Sequence, residues 1–195
     1  MQNSCKNQKT EFFKLSVTLF LIAGVMAFLV ALVNNITAPV ISLQNAQKNS
    51  AALQAVLPEA DGFTSVYYPK TAENDVEILG VYKSNNNVGY CVKVGPKGYG
   101  GTIEMIVGFD AVGAVTGVKI VSMSETSGIG TKIAEDNFIN NFIGKTTQVV
   151  GDKKVSDKNT VQIISGATKS SKAFINGMNV AIDIASKLAG GGFVG

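Results

Sequence analysis

From Leu15 to Val33 the chain reads "LSVTLFLIAGVMAFLVALV", without a charged side chain. At ~1.5 Å of rise per residue, a helix of this length covers about the ~30 Å hydrocarbon core of a bilayer. A lysine at its centre would cost about 2.5 to 3.5 kcal/mol on insertion scales, whereas each Leu, Ile, Phe or Val there contributes a few tenths favourably. A cleaved secretory signal has a shorter apolar stretch, roughly 7 to 15 residues, ending at a small-residue cleavage site, and this run leads instead into Asn34-Asn35-Ile36-Thr37. Weighed against a cleaved signal and a buried core helix, an uncleaved span over 15–33 is the expectation, with the lipid bilayer as its surroundings. Lys6, Lys9 and Lys14 precede the run and the next lysine is Lys48, so the positive-inside rule places residues 1–14 in the cytoplasm and the remainder outside a cell membrane crossed once.

The residue inventory closes off several functions. The 17 basic residues, set against 14 acids, are all lysine. Without arginine, the bidentate base readout typical of nucleic-acid surfaces has no source, so nucleic acid is excluded as a partner. The chain has no histidine and only two cysteines, Cys5 and Cys91, one on either side of the apolar run. That leaves no zinc pattern, haem axial histidine, iron-sulfur set or internal disulfide, so no metal site is expected. Redox chemistry, if present, needs an organic cofactor.

Beyond the span, Pro39 suits the first turn of a helix, and "VISLQNAQKNSAALQAVLP" runs with apolar residues at Val40, Leu43, Ala46, Leu53 and Val56 until Pro58 stops it. This predicts a stalk helix within 34–58, followed by a domain over 59–195. Short β-rich runs come next: Phe63 to Tyr68, Val76 to Lys83, Val88 to Val94, Thr102 to Phe109 and Val115 to Met123. Turns at Asn85-Asn86-Asn87 and Asp110-Ala111-Val112-Gly113 separate them, which implies a largely antiparallel sheet. Lys132 to Ile143 takes helical spacing through Ile133, Phe138 and Phe142, and Val149 to Ile164 returns to strand character. A last helix from near Ser170 carries Phe174, Met178, Ala181, Ala185 and Leu188 on one face, a core stripe that ends at the glycines from Gly190. The class is α+β, a sheet with flanking helices.

Four small-residue clusters stand out. Gly144-Lys145-Thr146 is not a phosphate-binding P-loop, because Ile139 stands where that motif needs glycine. Gly98-Tyr99-Gly100-Gly101 and Glu125-Thr126-Ser127-Gly128-Ile129-Gly130 lack the third glycine of a dinucleotide fingerprint, Ile103 and Ile133 being in its place. Such glycines serve turns, or allow backbone amides to approach a planar or anionic ligand. Ser165-Gly166-Ala167-Thr168 lies between a strand ending at Ile164 and the last helix, where amides at a helix start favour an anion. Ser170, Ser171 and Thr168 add hydroxyls there, and Lys169 and Lys172 add charge. The same residues also suit a plain helix cap, stabilising by about 1 kcal/mol.

Ser165-Gly166-Ala167-Thr168 resembles the flavinylation motif of FMN-binding domains, found in the G subunit of the Rnf electron-transport complex and the C subunit of the sodium-pumping NADH:quinone reductase. "GYGGTIEMIVGFD" (98–110) and "ETSGIG" (125–130) are similar to further blocks of that family in the same order, behind an amino-terminal anchor. The length favours the Rnf member. The resemblance implies FMN joined by its phosphate to the Thr168 hydroxyl through a flavin transferase, with Ser165, Gly166, Ala167, Lys169 and Ser170 around the attachment point. It makes Glu125, Thr126, Ser127, Gly128, Ile129 and Gly130, with Tyr99, Gly100 and Gly101, the expected flavin neighbours. The departures are Ser127 for the usual proline, Met123 where many relatives have histidine, and Gln162, six before the threonine, where aspartate is common.

No residue is expected to act as an acid-base catalyst. The implied role is electron relay inside an ion-translocating ferredoxin:NAD oxidoreductase, with the complex's membrane and iron-sulfur subunits as partners. Two other readings stay open at this point: the C subunit of the quinone reductase or a stand-alone external flavoprotein, and a non-catalytic anchored module for binding or assembly.

Overall fold

A computed structural model describes residues 2–66, 68–69, 72–73 and 75–190, with side chains described from Phe12 onward apart from Ala72 and Glu73. Cys5, Lys6 and Lys9 therefore lie outside the described side chains. The chain divides into two units, Met1–Gln47 and Lys48–Gly195.

The described residues of the first unit are all helical. They form most of α1, Gln2–Val56, one continuous helix with Pro39 inside it. Residues 15–33 and the stalk segment from residue 34 share this helix as far as Val56. Proline removes one backbone donor but leaves the helix running. Hydroxyls follow the backbone locally: Ser16 donates to the Phe12 carbonyl at 2.9 Å and Thr37 to that of Val33 at 2.9 Å, a bonding mode that lets polar side chains sit on an apolar helix. The helix has a mean hydropathy of 2.6 over its most apolar stretch, and no side chain of that stretch is buried. It is long and apolar enough to cross a membrane.

The second unit begins inside the segment read as a stalk. Its sheet runs β1 (Phe63–Val66), β3 (Val76–Ser84), β4 (Gly89–Pro96), β5 (Glu104–Asp110), β6 (Val115–Ser122), and the short β2 (Ala72–Glu73) pairs with β3. Every pairing in it is antiparallel, as the tight turns predict. At the β3–β4 hairpin the Ser84 hydroxyl both accepts from the Gly89 amide and donates to its carbonyl. At the β5–β6 turn, Asp110 Oδ1 accepts the amides of Val112 (3.0 Å) and Ala114 (2.8 Å).

Alternation along the strands gives the sheet two buried faces. Val92, Val94, Met105, Val107 and Phe109 pack with Phe174, Met178, Ala181 and Ala185 of α3 (Thr168–Ala189). On the opposite face, Cys91 and Ile106 pack with Ala52, Leu53, Val56 and Leu57 at the end of α1. That helix end fits closely because Gly108 and Gly117 face each other across β5 and β6. A Cβ on Gly108 would stand 2.6 Å from the Val56 carbonyl oxygen, which the Thr116 hydroxyl reaches at 2.6 Å.

Two expectations need correction. Residues 132–143 do not form one helix. Glu135 is extended (φ −73°, ψ 141°) and separates a 3-10 turn, Gly130–Ala134, from the short α2, Asp136–Ile139. The apolar spacing was real: Ile133, Phe138 and Phe142 are buried, and Phe138, Phe142 and Phe174 form an aromatic cluster with centroids 5.2–5.5 Å apart. Residues 149–164 likewise do not form one strand. They supply β7 (Val150–Asp152) and β8 (Thr160–Gln162), which pair in parallel and are held to α3 by the Asn179 amide, bonded to both the N–H and the carbonyl of Val149.

Candidate functional site

Thr168 opens α3, two residues earlier than the spacing suggests, and Ala167 is the N-cap residue with no side-chain cap bond. The plain capping role for the serines and threonine is therefore not what the structure has. Ser171, fully buried, accepts the Ile164 amide at 3.1 Å and so ties the incoming loop to the helix. Ser170, 2% exposed, donates to Glu125 Oε2 at 2.5 Å. Thr168 is exposed, and no other described group bonds its hydroxyl. Gly166 takes φ +82°, a backbone state that side chains rarely adopt.

Glu125 joins the three blocks. Its Oε1 accepts the amides of Tyr99 (2.9 Å) and Gly100 (3.1 Å), while Oε2 takes the Ser170 hydroxyl. The approach is close enough that a Cβ on Gly98 would lie 2.0 Å from Oε1, and one on Gly100 would lie 2.0 Å from the Ser124 carbonyl oxygen. These two glycines serve contact between chain segments.

Two clefts flank the loop 165–168. One, about 250 Å³, is lined by Tyr99, Glu125, Thr126, Ile129, Gly130, Gly166, Ala167, Lys169 and Ser170. The other, about 470 Å³, is lined by Lys153, Gln162, Ile163, Ile164, Ser165, Gly166 and Thr168. Gly166 borders both, and Thr168 opens into the second. Gly100 and Gly101 line neither of these. They border a third cleft of about 570 Å³ with Lys97, Lys172 and Asn176, which shares Tyr99 and Lys169 with the first. The Lys169 ammonium stands 5.8 Å from the Tyr99 ring centroid, within cation–π range. Ser127 and Gly128 are exposed in a turn where the Gly128 amide donates to Thr131 Oγ1, away from all three linings.

Lys153 escaped the sequence reading. It stands fifteen residues before Thr168 on an unremarkable polar stretch, and only the parallel β7–β8 pairing brings it to the same cleft. Among the described residues, no group of three or more His, Cys, Asp or Glu could hold a metal.

The FMN-binding domain family matches residues 98–183, which include all three blocks, and the RnfG N-terminal region matches residues 4–56. The G subunit of the Na(+)-translocating ferredoxin:NAD(+) oxidoreductase complex of Acetobacterium woodii is 38% identical over 193 residues, covering 91% of this chain and 93% of the relative. The chain belongs to the RnfG family. A second RnfG relative, from the proton-translocating ferredoxin:NAD(+) oxidoreductase complex of Clostridium ljungdahlii, is 30% identical over 94% of this chain and 96% of its own. Among solved structures, the C subunit of the Na(+)-translocating NADH-quinone reductase from Parabacteroides distasonis has 21% identity and a TM-score of 0.45, over 57% of this chain and 62% of that one.

Proposed function

We propose that this RnfG-family chain is a membrane-anchored flavoprotein subunit that relays electrons through FMN in an ion-translocating ferredoxin:NAD(+) oxidoreductase complex, the cofactor being esterified through its phosphate to Thr168. The observation that carries the reading is the state of Thr168: of the three hydroxyls in the first turn of α3, those of Thr168, Ser170 and Ser171, it is the one exposed and bonded to no described group, on a loop shared by two clefts.

The residues present suit such a group. Gly166 and Ala167 put no bulk between the clefts, and Lys153 and Lys169 supply positive charge, one on each side. The amide end of α3, free of a capping side chain, favours an anion. When bound, FMN supplies one- and two-electron redox chemistry, and the protein supplies position and electrostatics. Ile129 gives the smaller cleft an apolar wall, and Glu125 fixes the opposite one. Ester formation at Thr168 Oγ1 belongs to a flavin transferase, for which the exposed hydroxyl is accessible: the hydroxyl oxygen would attack the phosphorus of an activated flavin phosphate, losing its proton as the donor's P–O bond breaks and its leaving group departs.

In this reading the helix crosses the membrane once over residues 15–33, with residues 1–14 cytoplasmic, the domain outside, and membrane and iron-sulfur subunits of the complex as neighbours. The uncovered apolar helix supports the span, and the charge distribution supports the orientation.

Intact-mass analysis of the chain from its own membranes, with denaturing-gel fluorescence, tests the linkage. One FMN adduct on the peptide carrying Thr168, absent from Thr168→Ala, is expected. A bare polypeptide mass from cells with an active transferase would refute it. Co-purification with ferredoxin-oxidising iron-sulfur partners tests the complex.

A further inference from the structure

Sequence similarity makes Glu125 a flavin neighbour, but the geometry commits its carboxylate elsewhere. Its three acceptor contacts go to protein donors: the Tyr99 amide, the Gly100 amide and the Ser170 hydroxyl. They span 26, 25 and 45 residues of chain, so each is a long-range tie between segments that have no sequence reason to meet. Glu125 has no ion-pair partner among the described residues. Hydrogen bonds to an ionised acceptor are shorter and stronger than neutral ones, and this carboxylate collects three. The Gly98 and Gly100 close approaches are the steric counterpart, since a side chain at Gly100 would push the loop off the Ser124 backbone and one at Gly98 would displace the Glu125 carboxylate itself.

We infer that Glu125 is the positioning residue of the site. It holds the 98–101 loop against the first turn of α3 and thereby fixes Tyr99, 71% exposed and otherwise met by the Lys169 ammonium 5.8 Å from its ring centroid, as a wall of the smaller cleft. Its importance to electron transfer runs through that wall and needs no contact with the cofactor. The inference rests on the proposed function only in taking that cleft as the flavin's.

The chemistry of a conservative replacement makes the role testable. In Glu125→Gln, one carbonyl oxygen still accepts both amides, and the new N–H donates to the Ser170 oxygen, so all three ties survive without the charge. Glu125→Ala loses all three. Amide hydrogen exchange at Tyr99 and Gly100, read in the full chain in detergent and in a Thr168→Val background that carries no flavin, should accelerate at least about tenfold in Glu125→Ala and stay within about twofold in Glu125→Gln, with exchange in β4 and β5 unchanged. Unchanged exchange in Glu125→Ala, or equal acceleration in both variants, would overturn the assignment. Should Glu125→Ala fail to fold, Ser170→Ala removes one tie and keeps the methylene, and exchange there should rise between the two. No rise would count against the latch. In the flavin-loaded chain, the visible circular dichroism of the cofactor should change in Glu125→Ala and be retained in Glu125→Gln, and identical spectra in all three would overturn the claim for the wall. A chain found to carry no flavin would sink the proposed function and leave the exchange test intact.

Discussion

The docking of the α1 end on the sheet is the feature most exposed to a single added carbon. In Gly108→Ala, the new methyl would stand 2.6 Å from the Val56 carbonyl oxygen, 2.7 Å from Thr116 Oγ1 and 3.0 Å from the Val56 carbonyl carbon. Two of these atoms are backbone and cannot swing aside, so the helix end must lift. Overpacking of this kind costs about 1 to 3 kcal/mol, and losing the Thr116 hydrogen bond adds about 1, giving about 2 to 4 kcal/mol for the docked state. Beneath that helix end lies Cys91, fully buried, and burial pushes its thiol from an ordinary value near 9 up to about 12. At pH 8 the thiolate fraction is then ~10⁻⁴ when docked and ~0.1 when released, so undocking raises reactivity roughly 10³-fold before access is counted.

The assay follows from the inventory. In a Cys5→Ser background Cys91 is the sole thiol, and its alkylation by iodoacetamide can be followed by mass in the detergent-solubilised full chain. Because the folded pKa is raised, the thiol's contribution to stability is complete below pH 9 and is lost as the pH climbs toward 12, so measurement at pH 8 leaves it in place. Gly108→Ala should accelerate alkylation by at least an order of magnitude and lower the unfolding midpoint. Alkylation within twofold of the parent, at an unchanged midpoint, would show that the glycine pair does not seat the helix.

Gly117→Ala meets Val56 at 3.0–3.4 Å and should cost only about 1 kcal/mol in the same denaturation assay, because small shifts relieve it. Thr116→Val keeps the shape but loses the bond to the Val56 carbonyl, for an expected loss of about 1 kcal/mol in urea. Phe174→Ala removes the shared member of the aromatic cluster and should cost about 3 to 5 kcal/mol, read as a shift of the denaturant midpoint without a change of slope. The Asp157 carboxyl is held below its ordinary 3.8, first by the Thr160 hydroxyl and then by the Asn159 amide. The order it gives the loop before β8 is therefore present above pH 3.8 and lost as the pH falls through the lower folded value, which exchange at Asn159 and Thr160 between about pH 5 and 2 should register.

What the sequence made legible follows from period and punctuation. The five main strands and their two tight turns are readable because alternation and residues such as Asp110 act locally. The α3 stripe is readable because one face meets one core. Residues 132–143 mislead because Ile133, Phe138 and Phe142 are buried from two short elements and the turn after them, whose side chains happen to follow a helical spacing. Residues 149–164 misled because a parallel two-strand pair leaves no hairpin signal. The end of α1 reads only as part of a stalk helix, since nothing in "AALQAV" announces that Gly108 and Gly117, far along the chain, form its seat. At the site, the three blocks stand out as small-residue clusters, and resemblance supplies their flavin role. That one carboxylate ties them could not be read, because hydrogen bonds across 25 to 45 residues have no local pattern.

The start of α3 shows how the local rules bend around the site. A helix beginning next to Ser165 and Thr168, with Ser170 and Ser171 following, has every means of capping itself for about 1 kcal/mol, yet its N-cap residue is Ala167 and no side chain caps it. Two of these hydroxyls go to other tasks. Ser171 secures the loop through the Ile164 amide, and Ser170 completes the Glu125 tie. Thr168 is left with an exposed oxygen bonded to no described group, at a helix end whose amides still favour an anion. A purely structural segment would gain stability by turning one of these hydroxyls back onto the helix. Leaving that stabilisation unused is consistent with a chain that keeps a nucleophilic oxygen open to a phosphate, and it places the departure from local optimality where the proposed ester would form.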